Sequence, residues 1–516
     1  MLRFLEWLDN VSGANTESRK LRWMDRIAFF FLILMTLSAP HSIAATQTAW
    51  LIGMAVWLVR LASGPRKPLK LRTIDIALWG LFGWSLVSSL FSYEPAVSLD
   101  RMRGVSVFLI FYFVAGNIRH RRAAYFLSFA LIFSCIVNVL WMPIERIFGR
   151  GVEIHQLSSD GAALRAKMKD GDTILTVNGK KVRSPEAIVT EIETTGSGKI
   201  KLYRQDYDVV VDVGSADLGM LPNAEEKLGI GSWKTSRNWR SAGFFGHYTT
   251  YAEALQLIAS LALGLLVAGF LSARGQGLRP EQKYARRTFI LLSGTVAAMC
   301  VVLLMTVTRG SQLAFAISGF VIFLIGAKRK WFGIGLAVGV SLAAVGLLVV
   351  QQTREKGFFD PTDDSTLYRF TMWRDGLRIW SESIRNMTFG VGMDSIQKHW
   401  QEWNMFDGGK MPLGHFHSTP IQLLTERGLP AVLFWFAVLI SYSVTILKTL
   451  RVRAATLDWR SAGILLGCFG GMCGFVVSGI AHYNLGDQEV AMIFFFLMAL
   501  GFRICEIESF GKPVLE

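Results

Sequence analysis

Apolar residues in this chain come in long runs, not in the three- and four-residue steps of a soluble helix. Such runs lie near 27–44, 47–63, 74–92, 104–118, 123–142, 250–271, 288–307, 311–326, 331–350, 429–447, 462–480 and 488–503. About 20 residues at roughly 1.5 Å each cross about 30 Å of hydrocarbon, so the pattern predicts an all-α polytopic membrane protein with twelve transmembrane helices. The first run has no small-residue cleavage site and reads as a retained span, not a signal peptide. Two long polar interruptions, 143–249 and 351–428, separate the runs. The chain therefore divides into 1–149, 150–214, 215–350, 351–428 and 429–516.

Within the first interruption the period changes. GVEIHQL and KIKLYRQDYDVVVDV read as strands, and SPEAIVTEIET as a helix capped by Ser184 with Pro185 at its first position. Gly171-Asp172 turns into a strand, and Asn178-Gly179 is a hairpin signal. Residues 162–190 thereby resemble a bacterial PDZ domain, a small α/β insert over 150–214. The resemblance implies capture of a peptide or protein C-terminus as an added strand, with Gly149-Arg150-Gly151 nearest the expected carboxylate loop, or else a packing or regulatory module. A membrane protease would suit such a domain, but the chain has no HExxH helix.

In the second interruption Leu367, Phe370, Trp373, Leu377 and Trp380 recur at helical steps, predicting an amphipathic helix over 365–384 ringed by Arg369, Arg374 and Arg378. A turn at Gly390 and Gly392 and a polar stretch through Gly408-Gly409 lead to His415 and His417, which stand before the tenth run.

Composition agrees with the pattern: 52% of the 516 residues are hydrophobic, too many for a soluble globule. The net charge of +15 falls mostly in alternate loops, at Arg66 to Arg72, Arg119 to Arg122, Arg274 to Arg287, Lys328 to Lys330 and Lys448 to Arg460. Those loops and both termini are expected on the cytoplasmic face, toward anionic membrane lipids, with both interruptions on the outer face. No basic-aromatic module suggests nucleic acid. The five cysteines sit in or beside the runs, so disulfides have no evident part. No ligand spacing for a metal and no cofactor motif is found.

Titratable groups gather at the outer face. Arg237, Arg240 and His247 precede the sixth run, with Glu253 a turn inside it. Arg309 is the single charge between Arg287 and Lys328, at the tip of an apolar hairpin. An arginine there is costly unless it meets an anion, and its planar fork suits phosphate oxygens. Asp487 and Glu489 open the twelfth run after His482-Tyr483-Asn484.

An arginine before the sixth span, a TRG hairpin, an R-x3-W helix, GVG and then His-Ser together resemble the O-antigen ligase/polymerase superfamily, membrane glycosyltransferases of GT-C-like architecture. Its ligases share His, then Asn, Ser or Gln, nine residues, Gly, two residues, and Gly, Thr or Tyr. His417-Ser418, nine residues and Gly428 match, and Ala431 departs while keeping a small side chain. The resemblance implies an undecaprenyl-diphosphate-linked glycan as donor. The acceptor would be lipid A-core or a protein for a ligase, or another lipid-linked glycan for a polymerase of O-antigen or exopolysaccharide. Arg240 and Arg309 would bind the diphosphate, with Arg237 competing for the first role. His417 would be the catalytic histidine, with His415 as its competitor. Arg369, Glu426 and Asp487 are supporting candidates.

The chemistry fits that assignment. Two arginines can stabilise a departing diphosphate without a metal, and a neutral histidine can take the acceptor's proton, which predicts direct, inverting displacement. A lipid-linked glycan transporter or flippase is the alternative from another class. It calls for midplane charges and repeated broken helices, whereas these charges collect at one face.

Overall fold

A computed structural model describes residues 2–13, 18–65, 71–204, 207–237, 239–273, 286–327, 333, 364–411 and 414–510. They fall into two compact units, Met1–Asn138 with Ala242–Glu516, and Val139–Ser241.

The larger unit is helical. It begins with α1 (Leu2–Ser12), α2 (Arg19–Ser38), α3 (Ile43–Ser63), α4 (Thr73–Leu90), α5 (Pro95–Val105), α6 (Leu109–Asn117) and most of α7 (Arg121–Phe148). It resumes with α8 (Tyr248–Ala273), α9 (Arg286–Met305), α10 (Arg309–Gly326), α11 (Asp364–Ser381), α12 (Ile384–Phe389), α13 (Thr419–Val452), α14 (Trp459–Ala481) and α15 (Gln488–Phe510). Among the described residues nine helices are long and apolar enough to cross a membrane: α3, α4, α7 to α10 and α13 to α15.

The expected twelve differ from these nine for local reasons. The run at 27–44 lies in α2, which starts at Arg19 and stops at Ser38, just short of Pro40. Its first turns carry Arg19, Lys20, Arg22, Asp25 and Arg26, which leaves a short apolar stretch from Ile27 to Ser38. The run at 104–118 is broken: Pro95 starts α5, a 3-10 turn at Ser106–Phe108 ends it, and α6 has only 9 residues. The run at 331–350 lies outside the described residues apart from Gly333.

Small residues let the central helices approach. A Cβ on Gly264 of α8 would stand 2.4 Å from the Gly467 nitrogen of α14, and one on Gly467 would stand 2.6 Å from the Leu261 Cα. Such close backbones replace the hydrophobic driving force that lipid does not supply. Between α8 and α10, Gln256 donates to Ser318 at 2.8 Å, a polar pair buried between apolar helices.

Opposite ends of the unit differ in chemistry. At one end the basic groups are paired: Arg60 and Arg119 with Asp25, Arg72 with Asp75 and Glu506, Arg503 with Glu506, and Arg121 with Asp458 and Glu508. Helix α14 runs from Asp458, which caps it by accepting from the amides of Arg460 and Ser461, to His482 at the other end. That second end gathers histidines.

The smaller unit holds an antiparallel sheet in the order β5-β4-β2-β1-β6, with β3 on β2. Its strands are β1 (Arg150–Leu157), β2 (Thr173–Val177), β3 (Lys180–Lys181), β4 (Ser197–Arg204), β5 (Tyr207–Gly214) and β6 (Ile230–Ser236). KIKLYRQDYDVVVDV is thus a hairpin of two strands. The helix Pro185–Thr195 begins as expected, with the Ser184 hydroxyl accepting from the Ala187 amide, and buries Ile188, Val189 and Ile192 against the sheet. Asp172, 1% exposed, accepts from the Lys169 amide at 2.8 Å and from Arg204 at 2.8 and 2.6 Å. Strand β6 lies beyond the expected limit at 214 and pairs with β1 from Arg150 to Leu157. The edge of β1 beside Gly149-Arg150-Gly151 is therefore filled by the chain itself. Arg150 stacks over the rings of Tyr203 and Trp239, at 4.8 and 4.5 Å.

Candidate active site

Helix α13 carries the break that shapes the site. Ser418 sits extended at its N-cap position, Pro420 lies in its first turn, and Gly428 interrupts it with φ 75° and ψ 178°. Before it, His415, Phe416 and His417 alternate in direction. Phe416 is fully buried, its amide donates to Gln422 Oε1 at 2.8 Å, and its carbonyl accepts from Trp373 of α11 at 2.9 Å. With Phe416 so anchored, the histidines on either side share the other face, their ring centroids 4.2 Å apart. His417 has φ 49°, in the left-handed region that costs a side chain of its size about 1–3 kcal/mol. The strain is held by Phe416 on one side and the start of α13 on the other.

His482, at the end of α14, joins them with its ring centroid 5.9 Å from that of His415 and 6.3 Å from that of His417. Thr419 ties the two loops together, donating to Asn484 Oδ1 at 2.9 Å. His482 Nδ1 donates to Glu253 Oε2 of α8 at 2.9 Å, and Glu253 is 1% exposed. Arg369 of α11 reaches the same place, its Nε donating to the Ala481 carbonyl at 3.2 Å. Asp487 accepts from Thr250 at 2.6 Å.

The electrostatics divide the three imidazoles. Burial, then His415, His482, Arg369 and His247 as neighbouring charges, lower His417 to about 3. Burial, with His482 and His247, lowers His415 to about 4. Against the cost of burial, the Glu253 carboxylate raises His482. Burial, then Glu489 and Glu253, push Asp487 up to about 7. At neutral pH His415 and His417 are therefore uncharged lone-pair donors.

Other candidates are placed differently. Arg309 is the first residue of α10, half-buried; Gln256 and Ser318 lie at one level, so the roughly 1.5 Å rise puts Arg309 at the histidine end. Arg237 and Arg240 belong to the smaller unit, where Arg237 is exposed and the Arg240 amide donates to the Tyr203 hydroxyl at 3.2 Å. The histidine cluster is built from the larger unit alone. Glu426 is buried, and its carboxylate accepts from the Asp394 amide at 2.9 Å. It lines a cavity of about 160 Å³ with Arg101, Asp394, Arg427, Tyr483 and Gln488. Tyr483 connects that cavity to the cluster, its ring 6.1 Å from that of His415.

Two glycines hold α12 and α13 together. A Cβ on Gly390 would stand 2.3 Å from the Glu426 carbonyl carbon, and one on Gly428 would stand 1.9 Å from the Thr388 oxygen. The contact is backbone to backbone, with the amides of Val391 and Gly392 donating to the carbonyls of Thr425 and Glu426 at 2.9 Å each. The GVG turn and the motif glycine are thus two sides of one joint.

His482 carries no motif and is 65 residues from His417, so only the packing of α13 on α14 reveals it. That packing also brings together three possible metal ligands whose spacing in the sequence gives no such signal. His415, His417 and His482 each offer a ring nitrogen, and these atoms all lie within 4.8 Å of one another.

Residues 294–436 match the family model described as O-Antigen ligase. The match takes in Arg309, Arg369, His415, His417 and Gly428. A curated relative, the probable peptidoglycan glycosyltransferase FtsW of Thioalkalivibrio sulfidiphilus (strain HL-EbGR7), is 30% identical over 169 residues. That stretch is 32% of this chain and 38% of the relative, so the chain spans well under half the length of the protein it resembles. Both findings support the O-antigen ligase/polymerase superfamily.

Proposed function

We propose that the chain is a membrane glycosyltransferase of the O-antigen ligase type, acting at the periplasmic face of a bacterial inner membrane. It transfers a glycan from an undecaprenyl-diphosphate carrier to a hydroxyl of lipid A-core. The observation that carries this reading is His417, held in a strained conformation and kept neutral by its surroundings, inside the stretch that matches the O-Antigen ligase model.

The acceptor oxygen attacks the anomeric carbon as the bond to the diphosphate oxygen breaks, with the electron pair leaving on the diphosphate. His417 takes the hydroxyl proton, and displacement from the opposite face inverts the anomeric centre. Arg240 and Arg309 stabilise the diphosphate, a role that a divalent cation fills in many nucleotide-sugar enzymes. A bound diphosphate also raises the His417 basicity by opposing its cationic neighbours, so the base strengthens when the donor arrives.

The test is glycan transfer by the purified full chain from a polyprenyl-diphosphate donor. His417→Ala is expected to lose about 10²- to 10⁴-fold in rate. Undiminished transfer by that variant refutes the assignment.

The relative named as a peptidoglycan glycosyltransferase favours a second reading, in which the acceptor is another glycan. A deletion strain separates the two: core-only lipopolysaccharide with intact polymer supports the ligase, and loss of an exopolysaccharide supports the polymerase. The smaller unit we read as a PDZ-like module used for packing, because β6 fills the edge of β1 that an incoming peptide would pair with.

A further inference from the structure

Three imidazoles converge at the end of the bundle from two chain segments, and proton transfer by one base uses only one of them. Their ligating nitrogens lie within 4.8 Å of one another. In a tetrahedral zinc site with about 2.0–2.1 Å bonds, neighbouring nitrogens stand about 3.3 Å apart. Rotations about the side-chain bonds of half-buried histidines span the difference.

The surroundings match such a site in two further respects. First, His482 donates its Nδ1 proton to Glu253, which leaves Nε2 as the lone pair and fixes the ring. A carboxylate behind a histidine is the usual outer partner of a metal ligand. Glu253 is buried in the first turns of α8, and its other oxygen, Oε1, has no hydrogen-bond partner among the described residues. A negative charge kept beside imidazoles in this way favours a cation. Second, the donor set is three imidazole nitrogens, which suits zinc, copper or nickel better than magnesium or calcium.

We propose that His415, His417 and His482 form a binding site for a divalent ion of the zinc type, and that occupancy withdraws His417 from proton transfer. The second half rests on the reading of His417 as the base. A metal bond takes the same imidazole lone pair that would accept the proton, so the two uses exclude each other. Glu253 is a positioning residue, acting through His482. Coordination by His415 also competes with the bond its Nδ1 accepts from the His417 amide at 3.2 Å, so binding and the apo arrangement of the loop are alternatives.

The test uses the full chain in detergent, without a polyhistidine tag and stripped with a chelator. Cobalt(II) serves as the spectroscopic probe and zinc as its competitor. One equivalent of cobalt is expected, with the intense visible bands of a four-coordinate nitrogen site, displaced by zinc. His482→Ala is expected to abolish those bands, and Glu253→Gln to weaken binding by about 10–100-fold. Saturating zinc is expected to stop glycan transfer and a chelator to restore it. Absence of a saturable equivalent in the wild-type chain overturns the site without any variant. Binding that is unchanged in both variants places the ion elsewhere and also overturns it. Transfer that zinc stimulates overturns the inhibition. Stoichiometry is read without any glycan, and the base by metal-free transfer of His417→Ala, so the two readings fail separately.

Discussion

Gly428→Ala probes the joint that sets the histidine loop on α13. The glycine has φ 75° and ψ 178°, a region that only glycine adopts freely, and a side chain there costs about 1–3 kcal/mol in backbone strain. The new Cβ would also stand 1.9 Å from the Thr388 oxygen and 2.4 Å from its carbonyl carbon, both backbone atoms that cannot swing aside. Relief requires α12 to move about 1 Å or more from α13, which strains the bonds from Val391 and Gly392 to Thr425 and Glu426, at about 1 kcal/mol each. The sum is about 3–5 kcal/mol. It is expected to lower the melting temperature of the full chain in detergent by about 3–5 °C. A thiol-reactive dye can follow it, because the five cysteines are buried or half-buried and become accessible on unfolding. Gly294→Ala is the control, since a Cβ there would meet no atom within 4 Å and the helix favours alanine by about 0.8–1 kcal/mol. If Gly428→Ala melts with the wild type and transfers glycan at the same rate, the joint does not hold the site.

Two further outcomes are expected. In the smaller unit Asp172→Ala leaves Arg204, 12% exposed, without its carboxylate, a loss of about 3–5 kcal/mol for a buried pair; limited proteolysis of the full chain should then cut within 139–241, and an unchanged digestion pattern would count against the pair. The pH profile of kcat/KM tests His417 directly. The base must be neutral, and His417 is lowered to about 3, so activity should stay flat as pH falls through 6.5 and decline only well below it. A midpoint near 6.5 would show a solvated histidine at work.

The class of fold was legible because hydrocarbon thickness imposes one length on every span, and apolar runs of that length exceed what a soluble core requires. Local signals were legible for the same kind of reason. Ser184 and Pro185 start their helix through local backbone geometry, and Asp172 follows a glycine turn. Where the helices depart from the apolar runs, a local feature is the reason: the 3-10 turn at Ser106–Phe108 interrupts one run, and α2 opens on charged turns.

The site divides along the same line. His417, Ser418 and Gly428 stand in one short segment, so their spacing carries the resemblance by itself. Why the spacing matters was decided by the fold: Gly428 is where the backbone of α13 meets that of α12, a contact between segments nearly 40 residues apart. Glu426, near His417 in sequence, faces the Asp394 amide, because a helix turns successive side chains about 100° apart. His482 and Glu253, remote in sequence, are the groups that meet the histidine pair. Sequence alone placed the candidate charged groups at a membrane helix mouth, since the middles of the apolar runs hold almost no charge. Only tertiary structure decided which groups share that mouth, because proximity between helices depends on side-chain packing that no single segment encodes.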